Sequence, residues 1–170
     1  MIGKGAAGEA ARLALRSHLI QGDPLFTPWP QLEVSDPRLV SSVYGKPSYW
    51  IVPLVCGRNT VGFVRVMPDG TAAAIGFTCR TPETPEACPV PIFALSPDHV
   101  LAKFVAESHL QSDEKQTEPR FVHDGPPGRE AWLIETRLDG LPSRWIFVGQ
   151  AGIYERRAGN IFGAGPEMEE

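Results

Sequence analysis

The three cysteines carry the most reactive side chains of this 170-residue chain. Cys79 and Cys88 flank a proline-rich segment, which a disulfide would close in an oxidising compartment. The eight residues between them do not fit the short Cys-x2–4-Cys spacing of a zinc site. Cys56 ends an apolar run, which favours a small buried thiol over a nucleophile. The cysteines therefore indicate structural roles.

The histidines and carboxylates form no recognisable reactive set. His99 and His109 are ten positions apart, on or just past one predicted helix, so they cannot hold a metal ion as i, i+4 ligands. His123-Asp124 begins a predicted turn, which favours a solvated pair over a catalytic dyad. No phosphate-binding loop or dinucleotide-binding fingerprint occurs. We expect no metal ion, no cofactor and no catalytic residue; the sequence favours a non-enzymatic protein and leaves an enzymatic one open.

Composition and charge exclude several classes of partner. The 16 Lys and Arg residues against 20 Asp and Glu give a formal charge of -4 and a pI near 5.6, which argues against nucleic acid. No apolar run approaches the ~18 residues that a membrane span needs, so no membrane partner is expected. The first ten residues lack the apolar centre of a secretory signal. We expect a cytoplasmic protein; the alternative is a secreted one whose signal was removed.

An internal duplication organises the chain. When the sequence is shifted by 82 positions, Pro37–Thr71 aligns without gaps on Pro119–Ile153, with six of 35 pairs identical. Trp50-Ile51-Val52 then falls on Trp132-Leu133-Ile134, and most other apolar positions stay apolar. The 17 Gly and 17 Pro residues largely mark turns and connectors around these two copies.

Each copy is interpreted as a helix followed by an antiparallel meander. Ala6–Ile20 has apolar residues near helical spacing, and Ser96-Pro97 is a typical helix start. The run 111–118 is interpreted as a solvated linker. The fold class is thus α+β, with two tandem αββββ repeats, each a helix packed on an antiparallel meander sheet. The predicted boundaries are 1–78 for the first repeat, 79–95 for a Pro-rich connector, 96–162 for the second repeat and 163–170 for a frayed tail.

The first copy carries an aromatic and apolar strand, Ser48–Val55, followed by a hairpin strand, Val61–Val66, and a strand end at Asp69-Gly70. This pattern resembles the PepSY-like units, and the expected shape is similar to that of cystatin-like domains. The second copy has Ala151-Gly152 in place of Asp-Gly. Two units in tandem are also similar in layout to the beta-lactamase-inhibitor protein. The resemblance implies a binding or inhibitory module, often extracytoplasmic and peptidase-associated, without catalytic residues.

Strand alternation assigns the side chains to two faces of each predicted meander. Trp50, Val52, Leu54 and Cys56 are expected to face the helix, because the equivalent strand of the second copy carries its charges on the other side. The helix-free face would then be rich in aromatic residues with a charged rim, as in protein interfaces. Its predicted binding residues are Tyr49, Ile51, Val55, Phe63, Arg65, Leu133, Trp145 and Phe147.

The predicted function is a non-enzymatic protein-binding module, an inhibitor or accessory subunit, that uses this helix-free face and the Cys79–Cys88 loop. Two alternatives for the face stay open: it is plain core, or it is the interface of a structural homodimer. A third alternative is a small-molecule-binding or enzymatic cystatin-like domain, with a pocket between helix and sheet lined by Trp50, Trp132 and Phe104. The expected partner is therefore another protein or a second copy of the chain.

Overall fold

The computed structural model describes residues 1–29, 31–107 and 110–158. The predicted tail 163–170 and His109 lie outside the described residues. The two α-helices are α1 (Lys4–Ile20) and α2 (Pro97–Glu107). The strands are β1 (Leu32–Val34), β2 (Arg38–Ser42), β3 (Pro47–Cys56), β4 (Asn59–Val66), β5 (Ala72–Phe77), β6 (Lys115–Gln116), β7 (Arg120–His123), β8 (Glu130–Leu138), β9 (Leu141–Gly149) and β10 (Gly152–Arg157).

The predicted fold class, two tandem αββββ repeats, is wrong. The structure is mostly sheet, with 40% of residues in ten strands and 22% in helices. Two unpredicted strands, β1 and β6, pair antiparallel with β3 and β8. Strands of two or three residues are too short to show alternation, which explains why the sequence did not mark them. The two helices also differ in their packing. Helix α1 packs on β1, β3, β4 and β5, whereas among the described residues α2 makes no comparably extensive contact with a strand of its own unit.

The chain divides into two compact units, Met1–Leu95 and Ser96–Glu170. In the first unit, β2, β3, β4 and β5 are neighbours in that order, and β1 extends the row of β2 along β3. A buried cluster fills the space between α1 and this sheet, which matches the side-chain faces expected for β3 and β4. Its members are Ala7, Ala11, Leu15, Phe26, Val52, Leu54, Val64 and Val66.

The end of α1 directs the following segment back onto the sheet. Gly22 adopts a left-handed conformation with φ of 68°. Its amide donates to Leu19 O at 3.2 Å, and the amide of Asp23 donates to His18 O at 3.1 Å, which together form a Schellman C-cap. The segment that follows bears Phe26 and therefore enters the core at a fixed point.

In the second unit, β7, β8, β9 and β10 are neighbours, and β6 pairs with β8. Two carboxylates predicted to be solvated are buried here: Glu114 of the expected linker and Asp124 of the expected turn pair. Arg144 binds Glu114, and Arg156 binds Asp124. Each carboxylate thus pairs with an arginine on a strand that is distant in sequence, so the sequence could not predict either ion pair. In the described part of the chain, no helix combines the length and apolar character needed to cross a membrane.

Candidate functional site

The predicted binding residues of the first unit lie under a cover. Tyr49 and Ile51 are only 3% and 2% exposed. Val55, Phe63 and Arg65 are half-buried, and the ring of Phe93 packs on that of Phe63 with 5.9 Å between centroids. Phe93 belongs to a short 3-10 turn, Ile92–Ala94, which also contacts β3. The segment after β5 thus covers part of the helix-free face.

The predicted binding residues of the second unit are also buried. Leu133 and Phe147 are opposite one another on β8 and β9, and both are fully buried. Tyr154 stacks on Phe147 with 4.9 Å between ring centroids, and the Arg156 guanidinium lies 5.4 Å from the same ring. Trp145 is 5% exposed, and its Nε1 donates to Glu135 at 3.3 Å.

The expected exposure of the helix-free face is therefore not observed. Five of the eight residues are buried and three are half-buried, which matches the core interpretation that the sequence left open. Alternation identified which side chains share a face, but the groups that cover a face come from segments without periodicity. A binding role for these residues stays a prediction.

The residues expected to line a pocket between helix and sheet do not line one. A cavity of about 350 Å³ lies between α1 and β1, but its lining residues are Arg12, Leu15, Arg16, Leu19, Leu32, Glu33 and Val34. Phe104 and Trp132 are 0% and 3% exposed, and Trp132 packs against Phe121 with 5.2 Å between ring centroids. Trp50 is half-buried against the α1 cluster, and its Nε1 donates to Ile2 O at 3.2 Å. Phe104 and Trp132 are therefore buried, and Trp50 packs on the apolar cluster beneath α1.

A cavity of about 470 Å³ lies beside β5 in the first unit, and we call it the edge groove. Three short segments enclose it: the turn after α1, the second half of β5, and the start of the loop that follows β5. Its lining is mostly apolar and rich in proline and aromatic residues. The lining residues are Pro24, Leu25, Phe26, Pro28, Trp29, Ile75, Gly76, Phe77, Cys79, Arg80 and Pro82.

Stacked aromatic rings form the base of the edge groove. The rings of Trp29 and Phe77 are nearly parallel, with 4.9 Å between their centroids, and Phe26 lies at the same distance from Phe77. The ring of His18 stacks on that of Phe26 with 4.6 Å between centroids. Aromatic contacts of this kind stabilise a pair by about 1 kcal/mol beyond area burial. The base is therefore preformed rather than created by a ligand.

One edge of β5 borders the groove and is unpaired. Within the described part of the first unit, β4 is the only strand that pairs with β5. The amide of Thr78 donates to Val61 O at 2.8 Å, and hydrogen-bonded pairs alternate along an antiparallel ladder. Gly76 therefore bonds to β4, whereas Ile75 and Phe77 direct their amide and carbonyl groups away from β4, toward the open edge.

A disulfide fixes the second wall of the groove. Cys79 and Cys88 are bonded, with 5.4 Å between their Cα atoms, while Cys56 is buried outside this bond, as expected. The amide of Cys79 also donates to Val61 O at 3.2 Å, so the start of the loop is anchored to β4. Arg80 follows directly and is exposed.

The groove has an asymmetric charge arrangement. Asp23 precedes the first wall, and its carboxylate accepts the Leu25 amide at 2.9 Å and contacts His18 Nδ1 at 2.8 Å. These hydrogen bonds, that of Leu25 foremost, hold the pKa of Asp23 below its usual value. No described side chain forms a hydrogen bond or an ion pair with Arg80. The one lining residue with a formal charge is thus a cation open to a ligand.

The groove is suited to binding by shape, backbone hydrogen bonds and one charge. Among the described residues, no group of three or more His, Cys, Asp or Glu side chains could hold a metal ion. His99 contacts the hydroxyl of Ser96 at 2.7 Å at the start of α2, and His123 Nδ1 lies 2.6 Å from Gly125 O.

The sequence predicted a binding role for the Cys79–Cys88 loop, whose first residues form one wall of the groove, but not for the other groove residues. The fourth strand of the first predicted meander corresponds to β5, but the sequence pattern did not show that its outer edge is unpaired in the described residues. A signal exists in Ala72–Phe77, which contains neither proline nor charge, the residues with which natural edge strands prevent pairing. A second signal is the Pro-rich segment 24–30 with two aromatic residues.

Comparison of the chain with protein-family models, with curated proteins and with solved structures finds no match.

Proposed function

We propose that this protein is a protein-binding module that accepts an extended segment of a partner polypeptide as an additional strand on β5. The observation that carries the proposal is the open edge of β5 beside the edge groove. The partner's backbone would bond to Ile75 and Phe77, and alternate side chains would enter the groove. The site thus differs from the helix-free face, although the function class is the one that the sequence favoured.

The composition of β5 supports this proposal. An uncharged edge strand exposes a row of donors and acceptors to which an extended chain can pair. Soluble proteins usually guard such edges with lysine, proline or an inward charge, and Ala72–Phe77 contains none of these. An edge that is left unguarded beside a preformed apolar cavity is what strand addition requires.

A proline at position 75 tests the proposal. The amide of Ile75 points away from β4, so Ile75→Pro removes an outward donor without removing a bond of the β4–β5 ladder. Ile75→Val is the matched control, because valine is close to proline in size and keeps the amide hydrogen. Circular dichroism and thermal unfolding establish that both variants fold.

The binding probe is a library of displayed random heptapeptides, selected on the immobilised full chain. Synthetic copies of the enriched peptides are then titrated by calorimetry. Because a backbone hydrogen bond contributes about 1 kcal/mol, we expect Ile75→Pro to weaken binding by at least about 5-fold and Ile75→Val by less than about 2-fold. Failure to enrich any peptide, or equal binding to both variants, would overturn the proposal.

A second copy of the chain is the alternative occupant of the β5 edge. Light scattering across a dilution series measures the molar mass and therefore detects such a dimer directly. A dimer that dissociates in Ile75→Pro but not in Ile75→Val would assign the edge to self-association and contradict a separate partner. A constant monomer mass in all three proteins supports the proposed partner segment.

A further inference from the structure

We infer that the partner segment carries an acidic side chain that pairs with Arg80, next to apolar side chains that enter the edge groove. The inference rests on the proposed function and specifies the chemistry of the partner. It follows from the position of Arg80, from the lack of a competing carboxylate and from the geometry of an added strand.

The backbone at Arg80 is held in place on its N-terminal side. Cys79 is bonded to Cys88 and donates its amide to Val61 O, so the residue that precedes Arg80 is attached both to β4 and to the loop. A guanidinium on a fixed backbone loses less freedom when it binds a carboxylate, and its planar fork can form two parallel hydrogen bonds. Arg80 is therefore positioned to bind a carboxylate of the partner segment at a low cost in conformational entropy.

The chain's own acids do not occupy Arg80 among the described residues. Asp23, near the opposite wall, already accepts the amide of Leu25 and contacts His18. Glu83 and Glu86 lie in the same loop and are exposed, and neither forms an ion pair with Arg80. Although the whole chain has a formal charge of -4, the rim of the groove presents a cation. An acidic side chain of the partner would therefore be complementary in charge to Arg80 at the rim of the groove.

The direction of β5 fixes where the acid must lie in the partner. Arg80 comes three residues after Phe77, at the C-terminal end of β5. Side chains of an added strand alternate, so residues two apart enter the groove over Phe26 and Trp29. The acid then lies at the end of the segment next to the C-terminal end of β5, within two or three residues of the apolar pair.

A double-mutant cycle tests the pairing. The peptides enriched on the full chain are synthesised with their glutamate or aspartate and with the corresponding amide. Both forms are titrated against the wild type, Arg80→Gln and Lys46→Gln. Lys46 is an exposed lysine in the turn between β2 and β3, so its substitution removes the same charge at a site away from the groove.

We expect Arg80→Gln to weaken binding of the acidic peptide by about 3- to 5-fold and to leave binding of the amide peptide unchanged within about 2-fold, as for an exposed charge pair. Lys46→Gln should affect neither peptide. Arg80→Glu should restore binding to a peptide in which the acid is replaced by lysine.

The two proposals fail differently. If the enriched peptides are sensitive to Ile75→Pro but show no acidic preference and no response to Arg80→Gln, the acid pairing is wrong and strand addition stands. If binding depends on Arg80 but not on Ile75→Pro, strand addition is wrong, and the inference that rests on it is withdrawn with it.

Discussion

The carboxylate of Glu114 is completely enclosed in the second unit, and its side chain is 0% exposed. Arg144 binds both of its oxygens, through Nε at 3.0 Å and through Nη2. The hydroxyl of Thr136 donates at 3.0 Å and the amide of Gln111 at 3.1 Å. A buried carboxylate is destabilising unless it is paired and fully hydrogen-bonded, and here every oxygen has donors. This cluster joins the segment before β6 to β8 and β9.

Glu114→Gln should lower the free energy of unfolding by about 3 kcal/mol, because Arg144 would lose its buried counter-charge. The matched control is Glu155→Gln: Glu155 binds the same Arg144 at 2.7 Å, but its side chain is 59% exposed. The control should cost less than about 1 kcal/mol. Urea denaturation measures both. If both variants lost the same free energy of unfolding, the burial of Glu114 would not strengthen its ion pair with Arg144.

At the scale of elements, β5 and the loop after it work as one structure. β5 is held on one side by β4, and the loop is held by the disulfide and by the bond from Cys79 to Val61. Gly62 permits the close approach of the two strands, since a Cβ there would overlap Gly76 O. The groove wall therefore depends on a covalent bond outside the sheet.

Replacing both bonded cysteines, as Cys79→Ser with Cys88→Ser, should lower the free energy of unfolding by about 2–3 kcal/mol, as expected for a loop of this length. The variant should also bind the enriched peptides more weakly, because the position of Arg80 is no longer fixed. Lys46→Gln serves as the control, since it leaves the disulfide intact and changes an exposed residue away from the groove. Denaturation and peptide titration give the two readouts. Unchanged peptide affinity in the folded double variant would contradict a role of the disulfide in the groove.

At the scale of the whole molecule, paired side chains set the pH range of stability. The Arg144 guanidinium lowers the pKa of Glu114 from 4.5 to about 2. Burial raises the pKa of Tyr154 from 10.0 to about 12, and the hydrogen bond to Asp124 at 2.8 Å acts in the same direction. The folded state thus prefers an ionised Glu114 and a neutral Tyr154.

The contribution of Glu114 should be fully present above pH 4.5 and should be lost as the pH falls toward 2, because the unfolded chain takes up the proton first. The contribution of Tyr154 should be present below pH 10 and lost as the pH rises toward 12. Urea denaturation at several pH values should show the acid loss reduced in Glu114→Gln and the alkaline loss reduced in Tyr154→Phe. Identical pH profiles for wild type and variants would contradict this assignment.

Local patterns in the sequence were sufficient for several elements. Alternation placed Val52 and Leu54 toward α1, and the capping residues Ser96 and Pro97 marked the start of α2. Both depend on interactions between residues that are near in sequence, and Cys56 at the end of an apolar strand was buried for the same reason.

The sequence by itself thus determined the main strands, the end of α1, the start of α2 and the side chains that share a face of a strand. Only the tertiary structure decided which faces are covered, where Phe93 packs on Phe63, and which edge stays open. It also brought Arg144 to Glu114, 30 residues apart, and the turn after α1 to β5. Alternation and capping depend on residues that are near in sequence, so both are recognisable as local sequence patterns. Which face is covered, the order of strands and ion pairing depend on contacts between distant segments, which produce no such pattern.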